Sequence, residues 1–266
     1  MLVDGKAIAL EVLETVKQAV ISLGKTPRLS AITCEPNFET RKYLEMKRNR
    51  AAAVGIVLNV IELPADVTLE TAIARIKEVI AISDGVVVQL PFPPQIDRTE
   101  LLRAVPVVQD PDGFQYGQTA GACLSPVVGA IDEISKKYGV LWQGQQVVVL
   151  GEGLLVGRPA ATYARERGAK VTVLTKETYD STLLRPADII ISGIGQPNFI
   201  KPEFVKEGVV VFDAGTSEEG GILVGDVDPA VAEKAALFTP VPGGIGPITI
   251  AYLLRNLVSL IDSKSE

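Results

Sequence analysis

The chain has 266 residues, 47% of them hydrophobic and 22% charged, a globular profile with enough material for two domains of ordinary size. A net charge of -6 without a long basic stripe argues against nucleic acid as a partner. The apolar runs fall far short of a membrane span, and "MLVDGKAIAL" has no basic start ahead of a long apolar stretch, so neither a membrane partner nor a signal peptide is expected.

The elements follow in order. "GKAIALEVLETVKQAVISLG" has helical apolar spacing and closes on Gly24. "RLSAITC" reads as a strand, and "FETRKYLEMKRNRAAAVG" as a helix with Gly55 at its C-terminal end. "VLNVIEL" is a strand, and "TLETAIARIKEVIA" a helix with Thr68 as N-cap. "DGVVVQL" is a short apolar run of the kind found in buried parallel strands. This β-α-β-α-β alternation implies a parallel sheet. "SPVVGAIDEISKKYG" predicts a helix with Ser125 at the N-cap and Pro126 at its first position. "QQVVVLGEGLLVGRPAATYARERGAKVTVLT" predicts strand, glycine-rich turn, helix and strand. "ADIIISGIG", "VVVFDAG" and "ALFTPVP" add strands, and "PITIAYLLRNLVSLIDS" closes the chain as a helix. The fold class is α/β, and the change of pattern near residue 120 places a domain boundary there.

Two cysteines, Cys34 and Cys123, make a disulfide framework or a cysteine metal site improbable, and a cytoplasmic protein with no metal is expected. The chain contains no histidine. That removes Ser-His-Asp triads, Cys-His pairs, histidine zinc sites and imidazole proton donors. Acid-base work near neutral pH therefore falls to Lys, Tyr, Asp or Glu.

Several stretches exceed what a core or a plain loop needs. Val149 to Pro159, "VLGEGLLVGRP", follows a strand and opens a helix. Gly151, Gly153 and Gly157 would let the backbone approach a pyrophosphate against the helix N-terminus, whereas Glu152 inside the turn opposes an anion. In "YLEMK", Tyr43 and Lys47 lie on one helical face. Gln89 ends a buried strand, where ligand sites of open α/β sheets lie, and Pro91, Pro93 and Pro94 make a rigid wall beside it. Asp112 sits in the turn-rich "QDPDGF". "TPVPGGIGPIT", Thr239 to Thr249, has three prolines and three glycines, which suit a frozen, ligand-facing loop.

Taken together, "VDGKAIA", "YLEMK", "DGVVVQLPFP", "DPDGF", "LLVGRP", "ADIIISGIGQP", "GDVD" and "TPVPGGIGPIT" resemble the bifunctional methylenetetrahydrofolate dehydrogenase/cyclohydrolases over nearly the whole chain. The resemblance implies an N-terminal three-layer α/β catalytic domain over 1–119 and a Rossmann-type dinucleotide-binding domain over 120–247. The closing helix, 248–266, is then expected to pack back on the first. It also implies a cytoplasmic homodimer with a folate cleft between its domains, feeding one-carbon units to purine biosynthesis. Tetrahydrofolate derivatives would be the substrates and NADP or NAD the cofactor. Lys47 matches the principal catalytic residue of the cyclohydrolase step, and Gln89 the glutamine that hydrogen-bonds and assists it. Tyr43 matches a tyrosine lining the folate site, and Asp112 the aspartate that holds the pterin. Pro242, Gly243 and Gly244 match the loop beside folate. Gly151, Glu152, Gly153, Gly157, Arg158, Thr175, Lys176, Gly193, Gly195, Pro197, Gly246 and Thr249 fall at cofactor-binding positions.

The cofactor half departs from the family pattern. The usual Gly-Arg-Ser is Gly151-Glu152-Gly153, and the usual Cys-His-Ser after the next strand is Leu174-Thr175-Lys176. Those positions help bind NADP and its 2′-phosphate in the family. Thr40 replaces a serine, a milder change. Three alternatives to the bifunctional enzyme therefore stand: a cyclohydrolase alone, an NAD-preferring dehydrogenase, or a catalytically silent folate- or nucleotide-binding protein.

Overall fold

The protein is described here by a computed structural model covering residues 1–263. The chain forms two compact units, Leu10–Ser125 with the helical residues from Ile250 onward, and Met1–Ala9 with Pro126–Thr249. The first nine residues thus cluster apart from the 1–119 segment in which the pattern of elements put them. Their backbone explains why. Leu2 bridges Phe238 in parallel, Val3 N–H donates to Phe238 O at 2.9 Å, and Gly5 N–H donates to Gly243 O at 2.9 Å.

In the unit containing Leu10–Ser125, strands β1 (Arg28–Cys34), β2 (Val57–Leu63) and β3 (Gly85–Val88) form a parallel sheet in the order β2-β1-β3. Helices α1 (Gly5–Leu23), α2 (Phe38–Ala53) and α3 (Leu69–Ile80) connect and flank them. Local chemistry sets the helix ends. The Asn37 side chain accepts from Thr40 N–H and starts α2, and Thr68 accepts from Thr71 N–H and starts α3. Gly24 and Gly55 take φ of 63° and 81° just past α1 and α2, the left-handed turn that ends a helix. β3 is buried throughout. Its ladder runs one rung further, with Gln89 N–H donating to Ile32 O at 2.8 Å, so Gln89 sits at the strand's carboxyl end. A short helix, α4 (Arg98–Arg103), was not expected. Its cap, Asp97, accepts from Glu100 N–H, and the Asp-x-x-Glu spacing is the signal that could have found it.

In the other unit, β4 (Gln146–Leu150), β5 (Lys170–Leu174), β6 (Ile189–Ser192), β7 (Val210–Asp213) and β10 (Leu237–Phe238) form a parallel sheet in the order β10-β7-β6-β4-β5. This is a doubly wound arrangement whose direction of winding reverses between β4 and β6, and ligands bind beyond the carboxyl ends of strands at such a reversal. Helices α5 (Pro126–Tyr138) and α6 (Gly157–Glu166) belong to this unit. Trp142 stacks on Phe212 at 5.9 Å and meets Tyr163 edge-on at 5.1 Å in its core. A two-stranded hairpin, β8 (Ser217–Glu219) with β9 (Ile222–Val224), also went unread. Its Gly220-Gly221 turn has positive φ at both residues, the requirement of a tight hairpin turn.

Helix α7 (Ile245–Asp262) is, among the described residues, the one helix long and apolar enough to cross a membrane by length and composition. That corrects the expectation that all apolar runs fall far short of this. Two-thirds of the helix (67%) is buried inside the protein, so its apolarity serves the core.

Two aspartates, Asp213 at the end of β7 and Asp226 after β9, brace the unit containing Pro126–Thr249. Asp226, 0% exposed, accepts from Ser192 Oγ (2.7 Å), Ile194 N–H (2.8 Å) and Gln196 N–H (2.8 Å). Asp213 accepts from the N–H groups of Gly215, Asp226 and Val227. Burial, and secondarily the Asp226 charge, pushes the Asp213 carboxyl up to about 7, against the pull of those hydrogen bonds. Removing an acceptor from a buried donor costs about 1–3 kcal/mol per stranded group. Asp226→Ala is therefore expected to lower the unfolding free energy by about 3 kcal/mol, read from urea denaturation. A change under about 1 kcal/mol would show that the 192–196 turn holds without this carboxylate.

Candidate active site

Four side chains converge in the unit containing Leu10–Ser125. The helical spacing of α2 puts Tyr43 and Lys47 on one face, and the Lys47 ammonium lies 4.9 Å from the centre of the Tyr43 ring. Lys47 Nζ donates to Gln89 Oε1 at 3.0 Å. Gln89 Nε2 donates in turn to Leu90 O at 3.1 Å. A lysine offers only donors, so this second bond fixes the amide with its oxygen toward the amine. Leu90-Pro91 is a cis peptide bond, and Phe92 beyond it is buried.

Asp112 completes the group electrostatically. Lys47 is only 6% exposed, and burial lowers its pKa, partly offset by the Asp112 charge. Asp112 is raised by burial and pulled back by Lys47. The Tyr43 hydroxyl is raised, first by burial and then by Asp112. The arrangement is a cation and an anion sharing a nearly dry site, with an amine whose proton is easier to remove than that of a free lysine.

Two residues that sequence reasoning missed hold Asp112 in place. The Asp110 carboxylate accepts from Gly113 N–H (3.0 Å) and Phe114 N–H (2.9 Å), closing the turn that carries Asp112. Burial, then the Asp112 charge, pushes Asp110 up to about 7. Gly113 has φ of 60°, and a Cβ there would lie 2.5 Å from Cys123 O. Asn256 Nδ2, on α7, donates to Pro111 O (2.9 Å) and Leu124 O (2.8 Å). The available signals were an aspartate three residues before a glycine and an isolated amide in the apolar run "AYLLRNLVSLI".

The other unit carries the glycine positions. Gly151 has φ of 86° and donates to Leu174 O at 2.8 Å, tying the end of β4 to the end of β5. At Gly157, which opens α6, a Cβ would lie 2.0 Å from Gly151 O, and at Gly193 one would lie 2.5 Å from Val156 Cγ1. The Gly153 Cβ position faces open space. The β4–α6 turn is thus packed against the end of β6 and open at Gly153, a cradle that fits the pyrophosphate of a dinucleotide. Glu152 and Arg158 are exposed beside it. Thr175 and the exposed Lys176 follow β5, and the Thr175 hydroxyl donates to Glu177 Oε2 at 2.8 Å. Gly195, with φ of 66°, and Pro197 lie in the turn that Asp226 pins.

The proline-glycine loop is in the same unit. Val241-Pro242 is cis, and Gly243 has φ of 106°. Gly244 N–H donates to Pro240 O at 2.7 Å. A Cβ at Gly5 would lie 1.8 Å from Gly244 O, so the glycine of the opening "VDGK" is what lets the N-terminal segment seat against this loop. Gly246 falls in the first turn of α7 and Thr249 one turn on, where its hydroxyl donates back to Ile245 O.

Comparison with known proteins accords with this geometry. Residues 3–112 match the family model described as the tetrahydrofolate dehydrogenase/cyclohydrolase catalytic domain, and residues 125–265 match that of the NAD(P)-binding domain. The bifunctional protein FolD of Lactobacillus gasseri is 35% identical over 97% of this chain and 96% of its own. The crystal structure of the FolD methylenetetrahydrofolate dehydrogenase/cyclohydrolase from Campylobacter jejuni superimposes with a TM-score of 0.93 at 33% identity, covering 99% of both chains. That of the Trypanosoma brucei FolD enzyme, complexed with NADP cofactor and inhibitor, gives 0.91 at 33% identity over 100% of this chain and 98% of that one. With a glycine-lined strand-helix turn in one unit, a buried lysine beside a half-buried glutamine and aspartate in the other, and matches to both domains of one family, the chain belongs to the tetrahydrofolate dehydrogenase/cyclohydrolase family.

Proposed function

We propose that the protein oxidises methylenetetrahydrofolate to methenyltetrahydrofolate with NAD or NADP and hydrolyses the product to 10-formyltetrahydrofolate. The observation that carries this reading is the Lys47 amine, nearly buried and hydrogen-bonded to Gln89 Oε1 at 3.0 Å. The bound nicotinamide supplies the hydride acceptor for the first step. That step needs orientation and exclusion of water rather than a proton donor, which suits a chain without histidine.

The hydrolytic step needs a proton moved, and Lys47 is the group assigned to it. In its neutral form the amine takes a proton from water as the water oxygen bonds to the methenyl carbon. The resulting ammonium returns that proton to the pterin nitrogen when its bond to the carbon breaks. The second proton of the water leaves to solvent as the formyl C=O forms. Gln89 keeps the amine aimed through both transfers. Asp112 accepts from the ring N–H and amino group of the pterin, and Tyr43 lines the site. Gly151, Gly153 and Gly157 with the N-terminus of α6 hold the pyrophosphate, Gly193, Gly195 and Pro197 border the crevice at the strand reversal, and Pro242, Gly243 and Gly244 shape the loop beside the substrate. A cytoplasmic homodimer feeding purine biosynthesis extends this family reading and rests on it.

A second reading concerns the cofactor. Glu152 puts an anion in the turn where the family pattern has an arginine, so NAD is bound at least as well as NADP.

Lys47→Met is expected to cut methenyltetrahydrofolate hydrolysis by roughly a hundredfold or more while folate still binds by calorimetry. In the wild type the hydrolysis rate should rise with pH as Lys47 loses its proton, through a midpoint below the value of about 10.4 for a free lysine, because burial lowers its pKa. Hydrolysis by the methionine variant within a few-fold of wild type would remove Lys47 from the mechanism. Asp112→Ala should weaken folate binding strongly, since it strands paired donors. Unchanged affinity would make Asp112 a turn residue only. Glu152→Arg combined with Gly153→Ser should tighten NADP more than NAD, measured as dissociation constants at two salt concentrations. Tight NADP binding in the parent, unimproved by the double change, would show that this turn does not govern cofactor choice.

A further inference from the structure

The turn after β5 carries a carboxylate that the family pattern of glycines does not account for. Thr175 N–H donates to Thr178 Oγ1 at 2.9 Å and Thr178 N–H returns to Thr175 O at 3.3 Å, so the chain folds back on itself at the strand's end. The fold-back brings Glu177 Oε2 to 2.8 Å from the Thr175 hydroxyl, which donates to it. That hydroxyl and the Glu177 backbone hold the carboxyl below its ordinary range, so it stays charged at neutral pH. Gly151 N–H donates to Leu174 O, so the glycine turn and the Thr175–Thr178 turn leave adjacent strand ends side by side.

We infer that Glu177, aimed by Thr175, reads the adenosine ribose of the cofactor and selects NAD over NADP. The inference rests on the dehydrogenase reading and deepens it. In a doubly wound nucleotide site the adenosine ribose lies over the end of the second strand, and a carboxylate roughly 20 residues beyond the glycine turn accepts from its hydroxyls. Glu177 follows Gly157, the last glycine of the turn, at that distance. An ionised carboxylate is acceptor only, so it suits the hydroxyl donors of NAD. It repels the 2′-phosphate of NADP, which carries nearly two negative charges. The Thr175 hydroxyl, which could otherwise donate to a phosphate, is already turned to the carboxylate. Lys176 is exposed one residue away and is the group that opposes this preference.

The test is calorimetric and independent of turnover. Dissociation constants for NAD, NADP, 5′-AMP and 2′,5′-ADP are measured for the wild type, Glu177→Gln and Thr175→Val. Glu177 is exposed and Thr175 only half-buried, and retention of the fold in both variants is checked by circular dichroism. The wild type is expected to bind NAD more tightly than NADP, and 5′-AMP more tightly than 2′,5′-ADP. Glu177→Gln should shift both ratios tenfold or more toward the 2′-phosphorylated ligand, and Thr175→Val, which keeps the charge but releases it, should shift them less. Ratios unchanged in Glu177→Gln, with both cofactors still binding, would overturn the role of Glu177 and leave the dehydrogenase reading intact. Failure of the wild type to bind either dinucleotide would overturn both.

Discussion

Everything in the catalytic unit follows from taking one lysine amine out of water. A buried ammonium is costly unless acceptors replace its lost hydration. Here they come from three different elements: an amide oxygen from the end of β3, a carboxylate from the 110–114 turn, and an aromatic face one helical turn away on α2. None is sufficient to cancel the desolvation, so the pKa of Lys47 still falls. That imbalance is what makes the residue useful. A fully compensated lysine would hold its proton far above neutrality, and an uncompensated one would never be charged. In a chain with no histidine, a lysine whose pKa burial lowers is the side chain suited to the proton transfer proposed for it.

The rest of the unit serves to keep that placement. Gln89 is worth having at the strand end because its own amide nitrogen is committed to Leu90 O, leaving the oxygen with one orientation. Asp112 is held by a turn closed by Asp110 and anchored through Asn256, so a side chain from α7 fixes a loop far away in sequence. The nucleotide-binding unit solves the opposite problem by different means. Two of its buried carboxyls, Asp213 and Asp226, are satisfied mainly by backbone N–H groups instead of counter-charges. Backbone donors cannot rotate away, so each carboxylate doubles as a clamp on the chain that supplies them.

The strands and most helix ends were legible because their causes are local. Thr68, Gly24 and Gly55 act within a turn of themselves, and the short apolar runs of β3 and β4 are written in neighbouring residues. Of the candidate site residues, Gln89 was marked by its place at the end of a buried strand, whereas Tyr43 and Lys47 alone look like any helical face and were singled out through the resemblance. What the sequence hid has two physical origins. The β8–β9 hairpin and α4 are too short for periodicity to register, although the paired glycines and the Asp-x-x-Glu spacing marked them. Asp110 is bonded to donors three and four residues on, so only its burial was hidden, whereas the donors that bury Asp226 become visible only after folding. For Asp226 they are Ser192, Ile194 and Gln196, more than thirty residues away for two of the three. The attachment of Met1–Ala9 to Phe238 and Gly243 is hidden for the same reason.

Position, not charge count, decides what the cofactor rim can do. Glu152, Glu177, Arg158 and Lys176 all lie at or just beyond the ends of β4 and β5 and are exposed, and by number the two signs cancel. Charges that move freely in water are screened within about 10 Å at ordinary ionic strength and contribute little. A charge fixed by a hydrogen bond to its own turn keeps one direction, and direction is what distinguishes a ribose hydroxyl from a phosphate on the same carbon. Glu177 has that fixation through Thr175. The glycines of the β4–α6 turn present backbone, which under the proposed reading would meet the pyrophosphate common to both dinucleotides. A side chain past β5, like the Glu152 side chain in the turn, can therefore add discrimination without changing the backbone contacts proposed for the pyrophosphate.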